Sequence, residues 1–265
     1  MLRKLLPVNN PFGAQVYHEE TVSSTMEAAR ILAGQNKAHG TVICADFQEA
    51  GRGRLKRTWA AERGKNLLFT VLLRFGSISS IPQALTLKAG LAVSLAVEDF
   101  APALQGAVKV KWPNDIMICP RETEAYKTAG ILSETDGKTV YIGVGVNVEQ
   151  QDFPEECRSK AGSIIRVFPG LPENARFTLL EKILVRLHAE LENPQPPSSA
   201  AFWRERLTQR LYKKGETVRF APGAADSALL VEGTLCGLGP GGELLIIPNG
   251  EKTERAFITG ELQVY

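Results

Sequence analysis

Residues 41–75 read TVICADFQEAGRGRLKRTWAAERGKNLLFTVLLRF and contain two apolar segments joined by a basic loop. The segments at 41–47 and 66–75 predict buried strands, because both are short, apolar and rich in β-branched or aromatic residues. Residues 48–59 between them have neither helical nor strand periodicity and carry four cations. A sheet would hold both ends of this loop and present it to a ligand.

The composition of this loop indicates an anion-binding site. Gly51 and Gly53 allow the backbone to approach a ligand closely, while Arg52, Arg54 and Arg57 offer planar donors that match phosphate or carboxylate oxygens. The alternative interpretation is a solvated basic turn, which is the commoner origin of an isolated cluster of cations. The flanking strands favour a site for a small, negatively charged ligand.

The whole chain has the composition of a folded protein rather than of a nucleic-acid binder. It has 265 residues, of which 44% are hydrophobic, and a formal net charge of only +2. Its four cysteines and three histidines are scattered, so we expect neither a disulfide framework nor a zinc site. We also expect that no segment approaches membrane-spanning length, and we expect no nucleic-acid or membrane partner and a cytoplasmic location.

Helix signals begin at Ser24, an N-cap with Glu27 three residues later as its capping-box partner, and this helix should end at Gly34. Asp136-Gly137 predicts the tight turn of a hairpin. The other predicted helices are 82–100, 175–191 and 200–211. A proline-rich break at 194–197 separates the last two. The other predicted strands are 107–112, 115–119, 127–135 and 138–148.

From residue 215 onward the pattern changes to short apolar strands separated by glycines. These strands are predicted at 217–220, 229–235, 243–247, 256–258 and 262–265, and they are typical of a small β-barrel. We therefore predict an α+β protein with a large domain over residues 1–212 and a small β domain over residues 213–265.

Four motifs occur in one order along the chain: QEAGRGR at 48–54, KWPND at 111–115, GILSE at 130–134 and GVGVN at 143–147. Together they resemble the motif set of biotin protein ligases. The resemblance implies a mixed β-sheet with packed helices, like that of class II synthetases, followed by an SH3-like barrel.

The resemblance also implies a two-step reaction. Biotin and ATP would form biotinyl-5′-AMP with release of pyrophosphate, with Mg²⁺ as cofactor. The biotin would then pass to one lysine of a biotin carboxyl carrier protein. Partners would be biotin, ATP and this carrier, and a homodimer could form through an exposed sheet edge.

Roles follow from the motif positions. Arg52, Arg54 and Lys127 would stabilise charge at the reacting phosphate, and Asp115 is the hypothetical base of the second step; no residue is predicted to ligate a metal. Biotin would contact Ser24, Thr25, Gln48, Arg52, Gly53, Arg54, Lys127, Gly130 and Ile131. ATP would contact Arg52, Arg54, Arg57, Trp59, Asn114, Asp115, Lys127 and Asn147.

Simpler interpretations remain open for several of these residues. Ser24 could serve only as a helix cap, Asn114 and Asp115 only as a turn, and Lys127 as a solvated side chain. Met26 stands where many members of the family carry asparagine.

Three alternative functions are a lipoate or octanoate ligase, a biotin-responsive regulator and an inactive binding module. The residues before Ser24 are too few for a helix-turn-helix domain, so we expect no operator binding.

Overall fold

The larger part of the molecule is built on a mixed eight-stranded sheet. The computed structural model describes residues 4–192, 202–223 and 230–263. The strands of this sheet are β1 (Lys4–Leu5), β2 (Val16–Val22), β3 (Thr41–Gln48), β4 (Asn66–Arg74), β5 (Val108–Lys111), β6 (Asp115–Ile118), β7 (Tyr126–Asp136) and β8 (Thr139–Asn147). Their order in the sheet is β1-β2-β3-β4-β8-β7-β6-β5; β2 and β3 pair in parallel, whereas β3, β4, β8 and β7 follow one another antiparallel.

Helices cover both faces of this sheet. They are α1 (Thr25–Gly34), α2 (Leu85–Phe100), α3 (Glu155–Arg158), α4 (Ala175–Leu191) and α5 (Phe202–Arg210). Successive residues of a strand point to opposite faces. Thus Val42 and Cys44 belong to the core beneath α2 and α4, whereas Ile43 and Ala45 belong to the core beneath α1. Burial on both faces explains why β3 has a continuous apolar run at 42–45 instead of an alternating pattern.

The C-terminal part forms a separate antiparallel sheet. Its strands are β9 (Thr217–Pro222), β10 (Val231–Leu238), β11 (Leu244–Pro248), β12 (Arg255–Phe257) and β13 (Gly260–Gln263). Their order in the sheet is β12-β11-β10-β9-β13. The prediction of an α+β fold with a small C-terminal β domain is therefore confirmed. The division at residues 212 and 213 stays a prediction. The predicted proline-rich break at 194–197, and the predicted element ends at 200, 229 and 264–265, lie outside the described residues.

Two sequence predictions were wrong in detail, and two strands were missed. Helix α2 begins at Leu85, not at residue 82, because Ala84 adopts a left-handed conformation with φ of 53°. The hairpin turn consists of Gly137 and Lys138, because Asp136 still pairs with Thr139 and the positive φ falls on Gly137. Strands β1 and β2 were not predicted, since the polar residues of β2 hide its pairing with β3.

The segment Ile78–Phe100 is long and apolar enough to cross a membrane by length and composition. The expectation that no segment approaches this length was therefore wrong. Helix α2, which forms most of the segment, packs against α4 and the sheet, and Leu91, Val93 and Val97 are fully buried. Burial inside the domain accounts for its apolar composition.

Two adjacent residues of α4 test this packing. Leu184 is fully buried and Val185 is 46% exposed. Leu184→Ala should lower the free energy of unfolding by about 2–5 kcal/mol, because it removes buried methyl groups and leaves a cavity. Val185→Ala, the matched control, should change it by less than about 0.5 kcal/mol. Urea unfolding followed by circular dichroism measures both, and equal losses would contradict the packing of α4.

Candidate active site

A cavity of about 560 Å³ lies where the start of α1, the 51–58 loop, the β5–β6 turn, and strands β7, β8 and β13 meet. It brings together every residue that the sequence predicted for the site. These residues are Ser24, Thr25, Gln48, Arg52, Gly53, Arg54, Arg57, Trp59, Asn114, Asp115, Lys127, Gly130, Ile131 and Asn147. Their placement in one cavity supports a shared site, while the role of each residue stays a prediction.

Ser24 caps α1, as predicted: its Oγ accepts a hydrogen bond from Met26 N at 3.2 Å. Glu27 is not its capping-box partner. The Glu27 carboxylate instead accepts from the guanidinium of Arg52 and also faces Arg30. The bond to Arg52 joins two opposite charges, whereas a capping box would offer the Glu27 carboxylate only an uncharged backbone N–H.

A hydroxyl and amide cluster lies at the same end of the cavity. Gln48 Oε1 accepts from Thr25 N at 2.8 Å and from Thr25 Oγ1 at 3.0 Å. Thr70 Oγ1, on β4, donates to Thr25 Oγ1 at 2.9 Å. Thr70 also lines the cavity and is fully buried. No sequence pattern identifies Thr70 as a site residue, because a threonine in an apolar strand is ordinary β-sheet composition.

The arginines of the 51–58 loop are anchored at several points. Arg54 donates to Asn114 Oδ1 at 3.2 Å and to the carbonyl oxygen of Gly260 at 3.4 Å. Arg57 forms a two-pronged pair with Glu261, with both N–O distances 2.7 Å. Because Gly260 and Glu261 belong to β13, the C-terminal domain contacts the loop directly.

Trp59 rests on the floor of the cavity, formed by β7 and β8. Gly130 and Gly145 are opposite each other on these strands. A Cβ at position 130 would lie 2.9 Å from Trp59 Cζ3, and a Cβ at position 145 would lie 2.6 Å from Trp59 Cε2. Both positions must therefore be glycine to seat the indole ring. Among the described residues its buried Nε1 has no hydrogen-bond partner.

Lys127 and Asp115 form an ion pair inside the cavity. Lys127 Nζ lies 2.7 Å from Asp115 Oδ1 and 5.5 Å from the centre of the Trp59 ring. The Lys127 side chain is 32% exposed and the Asp115 side chain 18%. Lys127 is therefore a partly enclosed cation aimed at a carboxylate, and not a solvated lysine.

Lys111 is a cavity residue to which the sequence analysis assigned no role. It ends β5, is only 5% exposed and lines the cavity. Burial lowers its pKa, while the carboxylates of Asp115 and Glu261 act in the opposite direction. The available signal was its position as the first residue of the KWPND motif.

The two asparagines of the motifs have different surroundings. Asn114 makes protein contacts through both atoms of its amide: its Nδ2 donates to the carbonyl oxygen of Ile131 at 3.0 Å and its Oδ1 accepts from Arg54. Asn147 Nδ2 donates to the carbonyl oxygen of Gly162 at 3.3 Å, but its buried Oδ1 has no partner among the described residues. Asn147 thus offers the cavity an acceptor, whereas Asn114 mainly fixes the turn.

Comparison with known proteins identifies relatives of this chain. Residues 19–147 match the model of the biotin/lipoate A/B protein ligase family. The biotin--[acetyl-CoA-carboxylase] ligase of Mycobacterium tuberculosis is 32% identical over 224 residues, covering 80% of this chain and 78% of that protein. The bifunctional ligase/repressor BirA of Bacillus subtilis is 38% identical over 160 residues, which are 57% of this chain. The chain spans about half, 46%, of the length of that relative.

A solved structure has the same fold over nearly its whole length. The biotin protein ligase of Aquifex aeolicus, solved in complex with biotin and ATP, superposes with a TM-score of 0.75 at 28% sequence identity. The superposition covers 94% of this chain and 97% of that one. Both domains of this chain therefore have counterparts in that structure.

The pair between Arg57 and Glu261 predicts a pH-dependent loop. The hydrogen bond from Arg57 lowers the pKa of Glu261 below its ordinary value of 4.5, against the opposing effect of partial burial. A lowered pKa means that the pair stabilises the docked loop fully above pH 4.5 and is lost as pH falls through the folded-state pKa. Glu261→Gln should therefore speed amide hydrogen exchange in residues 51–58 at pH 7 by roughly two- to fivefold.

The difference in amide exchange rate between Glu261→Gln and the unmodified protein should shrink as the pH falls below 4.5. Glu232→Gln is the matched control, because Glu232 pairs with Arg219 on β9 and does not line the cavity. Identical exchange of the 51–58 loop in Glu261→Gln and the unmodified protein at pH 7 would show that the pair does not hold the loop.

Proposed function

The chain belongs to the biotin protein ligases of the biotin/lipoate A/B protein ligase family, and we propose that it activates biotin with ATP and transfers it to a protein. The acceptor would be one lysine of a biotin carboxyl carrier protein, the carrier part of acetyl-CoA carboxylase. One observation carries the proposal: the polar cluster of Ser24, Thr25 and Gln48 opens into the same cavity as the cations Arg54 and Lys127.

This cavity suits a ligand with a polar, uncharged head and an anionic tail. The polar cluster can hydrogen-bond the ureido group of biotin, which carries N–H donors and a carbonyl acceptor. Leu132 supplies apolar wall to the cavity, whereas the side chain of Ile131 lies in the core beneath α2. The carboxylate at the end of the biotin chain would then meet Lys127, and Arg52 and Arg54 would turn from their protein partners to the ligands.

In the first step a biotin carboxylate oxygen attacks the α-phosphorus of ATP. The bond from this phosphorus to the bridging oxygen breaks, and pyrophosphate leaves. Two anions have to approach each other, so fixed cations lower the barrier by offsetting the charge that develops. Arg52, Arg54 and Lys127 would provide this charge, and Asn147 Oδ1 would accept from the adenine amino group or a ribose hydroxyl.

Mg²⁺ would enter with the nucleotide. Among the described residues no group of three histidine, cysteine or carboxylate side chains could hold a metal ion. Four carboxylates in the described part of the chain line the cavity; Asp115, Glu134 and Glu261 each face a cation, and Glu156 is the fourth. These residues fit a metal ion carried mainly on ATP phosphates with at most one protein carboxylate, which is the usual mode for Mg²⁺. Bound there, the ion would neutralise phosphate charge.

In the second step the acceptor amine attacks the acyl carbon of biotinyl-5′-AMP. An amide bond forms, the acyl-to-phosphate oxygen bond breaks, and AMP leaves. The ammonium group must first lose a proton, and Asp115 is the base that we propose. Its ion pair with Lys127 would open when Lys127 moves to the oxygens of the adenylate.

The polar end of the cavity argues against the lipoate or octanoate alternative. An alkyl chain or a dithiolane ring has no groups to satisfy Gln48 and Ser24, so binding either would leave buried polar atoms unpaired. We also propose a cytoplasmic location, no nucleic-acid or membrane partner, a possible homodimer, and a domain boundary at residues 212 and 213.

Lys127→Ala tests the first step. Incubation with biotin, Mg²⁺, α-labelled ATP and an apo carrier domain should give biotinyl-AMP and biotinylated carrier with the unmodified protein. Lys127→Ala should reduce adenylate formation by about 100-fold, because it removes a fixed charge next to the reacting phosphate. Lys138→Ala, at the exposed hairpin turn, should leave the rate unchanged.

Other results of this assay would reassign the protein. Adenylation of lipoate or octanoate, but not of biotin, by the unmodified protein would establish the alternative ligase function. Turnover of none of these acids would indicate an inactive binding module.

Asp115→Asn tests the second step. With preformed biotinyl-AMP and apo carrier, transfer should slow by about 100-fold, because asparagine cannot accept the proton of the acceptor amine. Asp136→Asn, at the exposed end of β7, is the control. Transfer at the normal rate by Asp115→Asn would remove Asp115 from the role of base.

A further inference from the structure

The orientation of the Gln48 side-chain amide is determined by its hydrogen bonds. Thr25 N lies 2.8 Å from one of the two polar atoms of this amide, and a backbone N–H can only donate. The atom that receives this bond must be Oε1, because an amide nitrogen does not accept. Gln48 Nε2 therefore points away from the start of α1.

The same logic determines the direction of the hydroxyl chain behind Gln48. Thr25 Oγ1 lies 3.0 Å from Gln48 Oε1, so Thr25 must use its only hydroxyl proton for that bond. Thr70 Oγ1 lies 2.9 Å from Thr25 Oγ1 and can contact it only as a donor. Protons in this chain therefore run from Thr70 to Thr25 to Gln48.

Burial makes this chain hard to replace with water. Thr70 is fully buried and Thr25 is 4% exposed. Thr70 pairs across the sheet with Gly143, where a Cβ would lie 3.6 Å from Thr70 Oγ1. Gly143 has no side chain to crowd this hydroxyl, and Met26 Cε lies 3.0 Å from the position that its Cβ would take.

The hydrogen bonds of this chain leave hydrogen-bond donors available for a ligand. Gln48 Nε2 keeps its two N–H groups, next to Gly51, where a Cβ would lie 3.1 Å from it. Ser24 Oγ accepts from Met26 N, so its hydroxyl proton is also available. Both residues line the cavity, and such donors fit a carbonyl oxygen. On biotin the ureido oxygen is the strongest acceptor of the ring system.

We infer that Thr70 is a positioning residue, which holds Gln48 through Thr25 so that Gln48 Nε2 donates to the ureido oxygen of biotin. This inference rests on the proposed function. Thr70 would not touch the reacting atoms, so it should govern the affinity for biotin and its discrimination from acids that lack a ureido group, and not the chemical step.

Thr70→Val tests the inference, because valine keeps the shape of threonine and removes its hydroxyl. Calorimetric titration should show biotin binding about tenfold more weakly, since Thr25 and Gln48 lose their fixed orientation. The rate of adenylate formation at saturating biotin should stay within about threefold of normal, and the affinity for lipoate should not change. Thr70→Ser, which retains the hydroxyl, should restore biotin affinity to within about twofold.

Thr41→Val is the matched control, because Thr41 is also buried on a strand of this sheet but does not line the cavity. It should bind biotin normally. If Thr70→Val does not fold, Thr70→Ala compared with Thr70→Ser gives the same contrast. Normal biotin affinity in a folded Thr70→Val, or equal losses of affinity for biotin and lipoate, would overturn this inference but not the proposed function. Failure of the unmodified protein to bind biotin would overturn the proposed function as well.

Discussion

The cavity depends on missing side chains in the two central strands. A sheet covered by helices on both faces leaves little empty volume, because protein interiors are packed as densely as organic crystals. Gly130 on β7 and Gly143 and Gly145 on β8 interrupt this packing at the cavity floor. Trp59 occupies the space over Gly130 and Gly145, and Met26 reaches toward Gly143, where a Cβ would lie 3.0 Å from Met26 Cε. The packing of the Trp59 ring over these glycines positions the end of the basic loop.

Charge pairing is the second constraint on the site. Glu27 holds Arg52, Asp115 holds Lys127, and Glu261 holds Arg57. A cluster of cations without such partners would repel itself and destabilise the folded chain. Partly exposed ion pairs are weak, so an anionic ligand can replace the protein carboxylate at little cost. The site is thus stable without ligand and still able to bind one.

The C-terminal domain takes part in this arrangement. Besides holding Arg54 and Arg57 through β13, it accepts a hydrogen bond from Trp112 Nε1 at the carbonyl oxygen of Gly242, at 3.0 Å. Trp112 also packs against Phe220, with ring centres 5.9 Å apart. The β5–β6 turn and the basic loop are therefore held from the same side, which links the small domain to the shape of the cavity.

Local patterns in the sequence determined most of the elements, the candidate residues and the family. Apolar runs predicted β3, β4, β7 and β8, and the four motifs predicted residues that do lie in one cavity. Motifs carry this information because catalytic groups are placed at the ends of strands and in the loops beside them. Glu27 could not be assigned from local spacing, which favours a capping box, since its partner Arg52 is distant in sequence.

Only the tertiary structure decided how the side chains pair. The contacts of Thr70 and the surroundings of Lys111 depend on neighbours from other strands, and a buried threonine or lysine has no sequence pattern that identifies those neighbours. The same holds for Glu261, which meets Arg57 across two domains. The sequence by itself determined which chemical groups are present and which elements they occupy. Long-range packing decided which donor meets which acceptor, because hydrogen bonds and ion pairs depend on distances that the order of residues does not specify.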